Sequence, residues 1–279
     1  MNSPILNILE SDYIVTNSKR IGRSEKMENP RTIVITGASS GIGAGLARYY
    51  SKKGVLLALT GRNLERLTIE AKKCSKLGAE VIYDIVDARN SKEMKKFIDR
   101  IENIRPIELL FANAGVAYTT THTSEDKQSK EIEIVSVNLC GVINTITPVL
   151  DYMKARNIGQ IAIMSSLAAY IPTPDTPVYG ATKAAIKSYG LALRSENSRK
   201  GIGITIICPG YVHSLITKEV KKPIMIVNPD KAAKIIGKKI IKNPSIIVFP
   251  FTIYFLVLFG SCLPSIVFNK IYSWITVQN

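Results

Sequence analysis

Residues 36–43 read Thr36-Gly37-Ala38-Ser39-Ser40-Gly41-Ile42-Gly43, between a short apolar run at 32–36 and a helix-like segment at 42–53. Strand, glycine turn, helix is the order that aims a helix N-terminus at an anion. Glycines permit the tight turn and let a pyrophosphate approach backbone N–H groups, and the helix dipole turns its positive end toward the charge. The spacing is Gly-x-x-x-Gly-x-Gly, not the Gly-x-Gly-x-x-Gly of the common dinucleotide fingerprint. An isolated glycine turn says little; this one stands where a nucleotide-binding turn belongs.

Working outward, six more apolar runs follow at 55–60, 80–85, 108–112, 160–164, 203–208 and 245–249. They are short, rich in Ile, Val and Leu, and not alternating, which predicts strands buried on both faces of a parallel sheet. Helical candidates lie between them, at 63–77, 91–104, 127–156, 178–200 and 228–242. This repetition predicts an α/β fold, a Rossmann-type doubly wound parallel seven-stranded sheet in a single domain with an apolar C-terminal extension. The chain divides into an N-terminal extension (1–28), a nucleotide-binding catalytic domain (29–250) and an apolar C-terminal segment (251–279).

Composition narrows the function. The 279 residues are 46% hydrophobic and 21% charged, which excludes a mainly disordered chain. The net charge of +15 is compatible with nucleic acid, an anionic membrane, an acidic ligand or simply a lysine-rich composition. No basic stretch is interleaved with aromatics, so no nucleic-acid partner is expected. Cys74, Cys140, Cys208 and Cys262 are scattered, and His122 and His213 are the two histidines. That pattern predicts no metal site and reduced thiols in a cytoplasmic protein. Residues 1–28 lack a basic-then-apolar leader, so no secretory signal is expected.

The tail has its own character. No charged residue occurs from 243 to 269, but Pro250 and Pro264 interrupt the stretch. Residues 251–263 alone fall short of the roughly 20 apolar residues a span requires. A buried or interface helix and a segment lying in a membrane interface both remain open. Eight lysines crowd 217–242 against Glu219 and Asp230, and those at 231, 234, 238 and 242 share one helical face. A basic face ahead of an apolar segment suits an anionic membrane surface, with contact through 217–268 and a peripheral place on the cytoplasmic side. A solvated lysine face is the plain alternative.

The glycine stretch resembles the cofactor loop of the short-chain dehydrogenase/reductase family, and further motifs agree in order. Asn113-Ala114-Gly115 follows the fourth strand like the family's Asn-Ala-Gly motif. Asn138 lies in the next helix, Ser166 follows the fifth strand, Tyr179 and Lys183 form Tyr-x-x-x-Lys, and Pro209-Gly210 follows the sixth strand. The resemblance runs from about residue 31 to 249. It implies a catalytic set of Asn138, Ser166, Tyr179 and Lys183. Tyr179 would be the general acid/base, and Ser166 would hold the reacting oxygen. Lys183 would tune Tyr179 and hold the nicotinamide ribose, and Asn138 would hold a relay water. Thirteen residues separate Ser166 from Tyr179, which favours Ser166 over Ser165. A tyrosine four residues before a lysine shares its helical face, and a nearby ammonium plus an oxidised nicotinamide is expected to lower a phenol pKa that starts near 10.

Cofactor contacts are expected from Gly37, Ser39, Ser40, Gly41, Ile42 and Gly43 in the loop, and from Asn113, Ala114 and Gly115. Tyr179, Lys183, Pro209, Gly210, Val212 and Ser214 complete that set. The second strand ends Thr60-Gly61-Arg62, with no carboxylate for ribose hydroxyls. Arg62 offers a guanidinium fork for a 2′-phosphate, so NADP(H) is favoured over NAD(H). Asp84-Ile85 resembles the family's adenine-contacting Asp-Val pair, with Asp87 as a loop or cap residue. The stretches 167–178, 211–227 and the tail are rich in Ile, Val, Met and Tyr, pointing to a small hydrophobic alcohol or ketone, with lipid or acyl compounds included. By resemblance, a homodimer or homotetramer forms through the helices carrying Asn138 and Tyr179. The competing reading is a catalytically silent NADP(H)-binding regulator or membrane-associated scaffold of the same fold.

Overall fold

The chain order β1 (Thr32–Ile35), α1 (Gly41–Tyr50), β2 (Leu56–Gly61), α2 (Leu64–Lys76), β3 (Glu80–Ile85), α3 (Ser91–Ile104), β4 (Leu109–Ala112) opens a computed structural model that describes residues 29–118, 124–214, 217, 225–264, 266, 267 and 270. It continues with α4 (Ser124–Val135), a π-helical turn (Ser136–Cys140), α5 (Gly141–Arg156), β5 (Gly159–Met164), a 3-10 turn (Leu167–Ala169), α6 (Pro177–Asn197), β6 (Ile202–Pro209), α7 (Pro229–Ile240), β7 (Ile246–Phe249) and α8 (Phe251–Ser261). The extension 1–28, His122, Lys218, Lys221 and Lys222 lie outside the described residues, as do 215–216 and 271–279.

The seven strands form one sheet in the order β3-β2-β1-β4-β5-β6-β7, and every adjacent pair is parallel. Side chains alternate between the two faces. Ile33 and Ile35 of β1 face one core with Leu46 and Ala47 of α1, Leu67 of α2 and Ala232, Ala233 and Ile236 of α7. Val34 faces the other with Met94, Phe97 and Ile98 of α3, Val142 and Ile146 of α5 and Ile186 of α6. Helices therefore cover both faces, as the continuous apolar runs require. The chain leaves β1 toward β2 and β3, then returns to β4 on the other side of β1. That reversal opens a crevice at the carboxyl ends of β1 and β4, where open α/β sheets bind ligands.

Three features depart from the sequence expectation. β3 is not buried on both faces: Glu80, Tyr83 and Ile85 are exposed on this edge strand, which pairs with β2 alone. The stretch expected as one helix at 127–156 is broken in phase by the π-helical turn at Ser136–Cys140. The continuous rod Asp126–Arg156 is the described helix long and apolar enough to cross a membrane by length and composition, and 50% of its apolar window is buried within the fold.

The third feature concerns the tail. Asp230–Lys242 presents Lys231, Lys234, Lys238 and Lys242 to solvent, as its pattern predicts. The apolar helix α8, however, packs through Tyr254 on Leu167, Ile206, Cys208 and Val248. That is the face of the sheet opposite to α7, whose apolar side joins the first core. Adjacency in sequence is not adjacency in space here. The outward side of α8 leaves Leu256 65% and Phe259 71% exposed.

Candidate active site

The glycine loop is fastened from below. Thr36 donates its N–H to Phe111 O at 3.1 Å, and its Oγ1 accepts from the N–H groups of Asn113 and Ala114, each at 3.1 Å. Asn113 Nδ2 returns a bond to Thr36 O at 2.9 Å. The Asn-Ala-Gly segment thus ties the end of β4 to the loop after β1. Gly37 and Gly41 adopt left-handed φ of 67° and 54°, which L side chains resist. A Cβ on Gly43 would stand 2.4 Å from Gly37 O and 2.6 Å from Asn113 Nδ2, so α1 can start against the loop only with glycine there. Ser40 caps α1 without a side-chain bond, leaving the first-turn N–H groups toward the cleft. This cradle fits a dinucleotide pyrophosphate: it is narrow, backbone-lined and positive.

The expected residues converge on one cleft. Gly37, Ser39, Ser40, Gly41, Ile42 and Arg62 line one side of it. Asn113, Ala114, Gly115, Ser166, Tyr179, Lys183, Pro209, Gly210, Val212 and Ser214 line the remainder. Gly43 lies behind the loop. Asn138 is fully buried beneath the floor.

Asp84 and Ile85 lie at the end of β3, beside the cleft lining rather than in it. Asp84 turns to α3 and pairs with Arg100 at 2.7 Å, and Ile85 is 44% exposed. The chain reaches the cleft only after the strand ends, through Val86, Asp87 and Ala88. Asp87 is gripped by Arg89, whose N–H and guanidinium both donate to it, at 2.6–3.0 Å. Those bonds hold its carboxyl below the usual range, against burial that pushes it up. Sequence reasoning also passed over Arg66 and Tyr118, which line the cleft. Arg66 stands in the first turn of α2, just past the Asn63 cap, where its N–H donates to Asn63 Oδ1.

The catalytic candidates meet at the cleft floor. Tyr179 and Lys183 stand one turn apart on α6, with Lys183 Nζ 5.5 Å from the Tyr179 ring centre. Nζ donates to Met164 O at 3.0 Å. Tyr179 hydrogen-bonds Ser166. Ser166 Oγ also accepts from Ala168 N at 3.1 Å, capping the 3-10 turn. Ser165 instead donates to Lys183 O at 2.8 Å, so its hydroxyl braces α6. Asn138 sits in the π-helical turn. Its amide is matched at both ends by Val116, accepting from N at 2.8 Å and donating to O at 2.8 Å. Gly115 lies between Asn138 and Lys183: a Cβ there would be 3.2 Å from Asn138 Oδ1 and 3.4 Å from Lys183 Nζ.

Burial pushes Tyr179 up, with its bond to Ser166 pulling the other way. Burial also pushes Lys183 down to about 8. Desolvation is the largest influence on both groups.

Comparison with known proteins agrees with this geometry. The family model described as short chain dehydrogenase matches residues 31–224. An uncharacterized oxidoreductase of Staphylococcus epidermidis is 31% identical over 188 residues, 67% of this chain and 80% of its own. The Arabidopsis thaliana protein named 11-beta-hydroxysteroid dehydrogenase-like 2 is 32% identical over 245 residues, 85% of this chain and 79% of its own. Among solved structures, an alcohol dehydrogenase from Thermococcus sibiricus complexed with 5-hydroxy-NADP is 27% identical. It covers 75% of this chain and 89% of its own, with a TM-score of 0.65. A short chain dehydrogenase/reductase from Burkholderia phymatum in complex with NAD shares the fold at 22% identity and TM-score 0.75, over 82% of this chain and 92% of its own. The chain belongs to the short-chain dehydrogenase family and is an NAD(P)-dependent oxidoreductase.

Proposed function

We propose that this protein interconverts a hydrophobic alcohol and its ketone with NADP(H), using Tyr179 as general acid/base. The observation that carries the reading is the convergence of Ser166, Tyr179 and Lys183 on the floor of a cleft whose far wall is the glycine cradle. When bound there, the cofactor supplies the hydride and, in its oxidised form, a positive ring charge beside Tyr179. The chain's residues do the rest. Ser166 holds the substrate oxygen against Tyr179 Oη, and Tyr179 gives or takes the proton at that oxygen. Lys183, 3% exposed, favours the phenolate and holds the ribose. Asn138 fixes the floor through Val116 and holds a relay water.

Arg62 and Arg66 support a 2′-phosphate and so NADP(H). Asp87, not Asp84, is the residue we assign to the adenine amino group. Leu167, Tyr170 and the inner side of α8 form an apolar cluster that begins at the residue after Ser166, and we assign the substrate to that side as a hydrophobic compound, lipid or acyl compounds among them. The steroid dehydrogenase name of the Arabidopsis relative is in keeping with that class. A homodimer or homotetramer through α4–α5 and α6, a cytoplasmic location and contact of 217–268 with an anionic membrane belong to the same reading.

Tyr179→Phe tests it. Turnover of a carbonyl panel should fall by about 10²–10⁴-fold while NADPH binding stays within about twofold of wild type. Full turnover in the variant would remove Tyr179 from the chemistry. A wild type that binds NADPH without any Tyr179-dependent turnover would favour a silent cofactor-binding regulator.

A further inference from the structure

Arg62 leaves the end of β2 and meets α4, where its Nη1 donates to Glu133 Oε1 at 2.8 Å. The second carboxylate oxygen accepts from Tyr118 Oη at 2.8 Å. Arg62 and Tyr118 line the cleft; Glu133, with a quarter of its side chain exposed, stands outside the lining. Three separate elements are joined by this one carboxylate: the β2–α2 turn, the segment after Asn-Ala-Gly, and α4. Burial works against the charge on Glu133, but the bonds from Arg62 and Tyr118 hold its pKa below the ordinary value. The carboxylate therefore remains an anion at neutral pH.

We infer that Glu133 is a selectivity-determining residue, an internal counter-anion that competes with the cofactor's 2′-phosphate for Arg62. This rests on the NADP(H) reading of Arg62. The physical reason is charge accounting at one guanidinium. A phosphate monoester brings about −1.5 to −2 charges at neutral pH. It meets an arginine already compensated by Glu133 and must draw that guanidinium away while a second anion stays close by. The ribose hydroxyls of NAD(H) carry no charge and make no such demand. Glu133 thus lowers the advantage of NADP(H) over NAD(H) and brings the two cofactors closer in affinity. Tyr118 holds the carboxylate in place and keeps it available to recapture Arg62.

The test separates this inference from the reading beneath it. Adenosine 2′,5′-bisphosphate and 5′-AMP are titrated calorimetrically into wild type, Glu133→Gln, Arg62→Ala and the double variant, after thermal melts establish that all four fold. Glu133→Gln should bind the bisphosphate about fivefold more tightly, the size of a partly exposed ion pair, with 5′-AMP within about twofold. In the Arg62→Ala background the same substitution should leave both ligands unmoved. An unchanged or weaker preference for the bisphosphate in Glu133→Gln would overturn the inference, since Glu133 would then orient Arg62 or do nothing. An equal gain in the Arg62→Ala background would overturn it too, because Glu133 would act on the phosphate without Arg62. If Arg62→Ala is silent with and without Glu133→Gln, the NADP(H) reading fails and the inference falls with it. A bisphosphate preference that depends on Arg62 but not on Glu133 removes the inference alone.

Discussion

On the glycine-loop wall of the cleft, the main chain is held at close quarters: α1 starts against Gly37 O, and the Asn113 side-chain amide donates to the loop carbonyls. Beyond Ser166, in the apolar wall under α8 and outside the cleft lining, side chain meets side chain: the Tyr170 and Tyr254 rings pack edge to face with centres 5.4 Å apart, and Leu167 and Val248 fill the space around them. Main-chain contacts admit one geometry, because moving a carbonyl moves the strand that carries it. Apolar contacts tolerate exchanges of similar volume. The first wall fixes one main-chain geometry, and the second accepts side-chain exchange.

Gly43→Ala strikes the first wall hardest. Its methyl group has no space between Gly37 O and Asn113 Nδ2. Cofactor affinity should fall by about 100-fold or more and stability by about 3 kcal/mol, read by titration and urea melts. A variant that binds normally would mean the wall is not rigid. Tyr254→Ala strikes the second wall. Removing a buried ring should cost about 2–3 kcal/mol and raise KM for the substrate, with cofactor affinity within about twofold. Loss of cofactor binding there would erase the distinction between the walls.

Lys183 joins the two walls, and pH reads its burial. With its pKa pushed down to about 8 from 10.5, the folded state holds fewer protons than the unfolded state between those values. Stability contributed at this position therefore rises with pH across that window. Wild type should gain on the order of 2 kcal/mol over Lys183→Met between pH 8 and pH 10.5 in paired urea melts. A constant gap would show that the ammonium is not desolvated. The smallest effect belongs outside the second wall. Leu256→Ser and Phe259→Ser should shift stability by less than about 0.5 kcal/mol each, since both side chains are largely exposed. If wild type floats with phosphatidylserine vesicles, the pair of substitutions should abolish it; a wild type that stays with the soluble fraction removes the membrane contact.

The same contrast explains what was legible in the sequence. Main-chain geometry leaves compulsory residues behind, so Gly37, Gly41 and Gly43 announce the cradle, and the apolar runs announce seven strands, five of them buried along their whole length. Tyr179 and Lys183 could be paired by helical spacing alone. Asp84-Ile85 is legible only by its likeness to an Asp-Val pair, and the sequence does not show that β3 ends at Ile85, ahead of the Val86, Asp87 and Ala88 that line the cleft. The π-helical turn at Ser136–Cys140 leaves no mark in apolar periodicity. The Arg62–Glu133 pair spans 71 positions, and surface charges of that kind carry no signal for their partner.

The π-helical turn can also be read as a length. A wide turn holds one residue more than an α-helical turn, so the helices on either side of Ser136–Cys140 are out of phase by a single residue. A chain shortened by one residue there would keep an unbroken helix of ordinary hydrogen bonds. Everything before the deletion would be turned by about 100° about the axis relative to everything after it. Asn138 would lose Val116, and Glu133 would be carried off Arg62. In this fold, both the floor of the cleft and the charge at its mouth depend on the presence of one extra peptide unit.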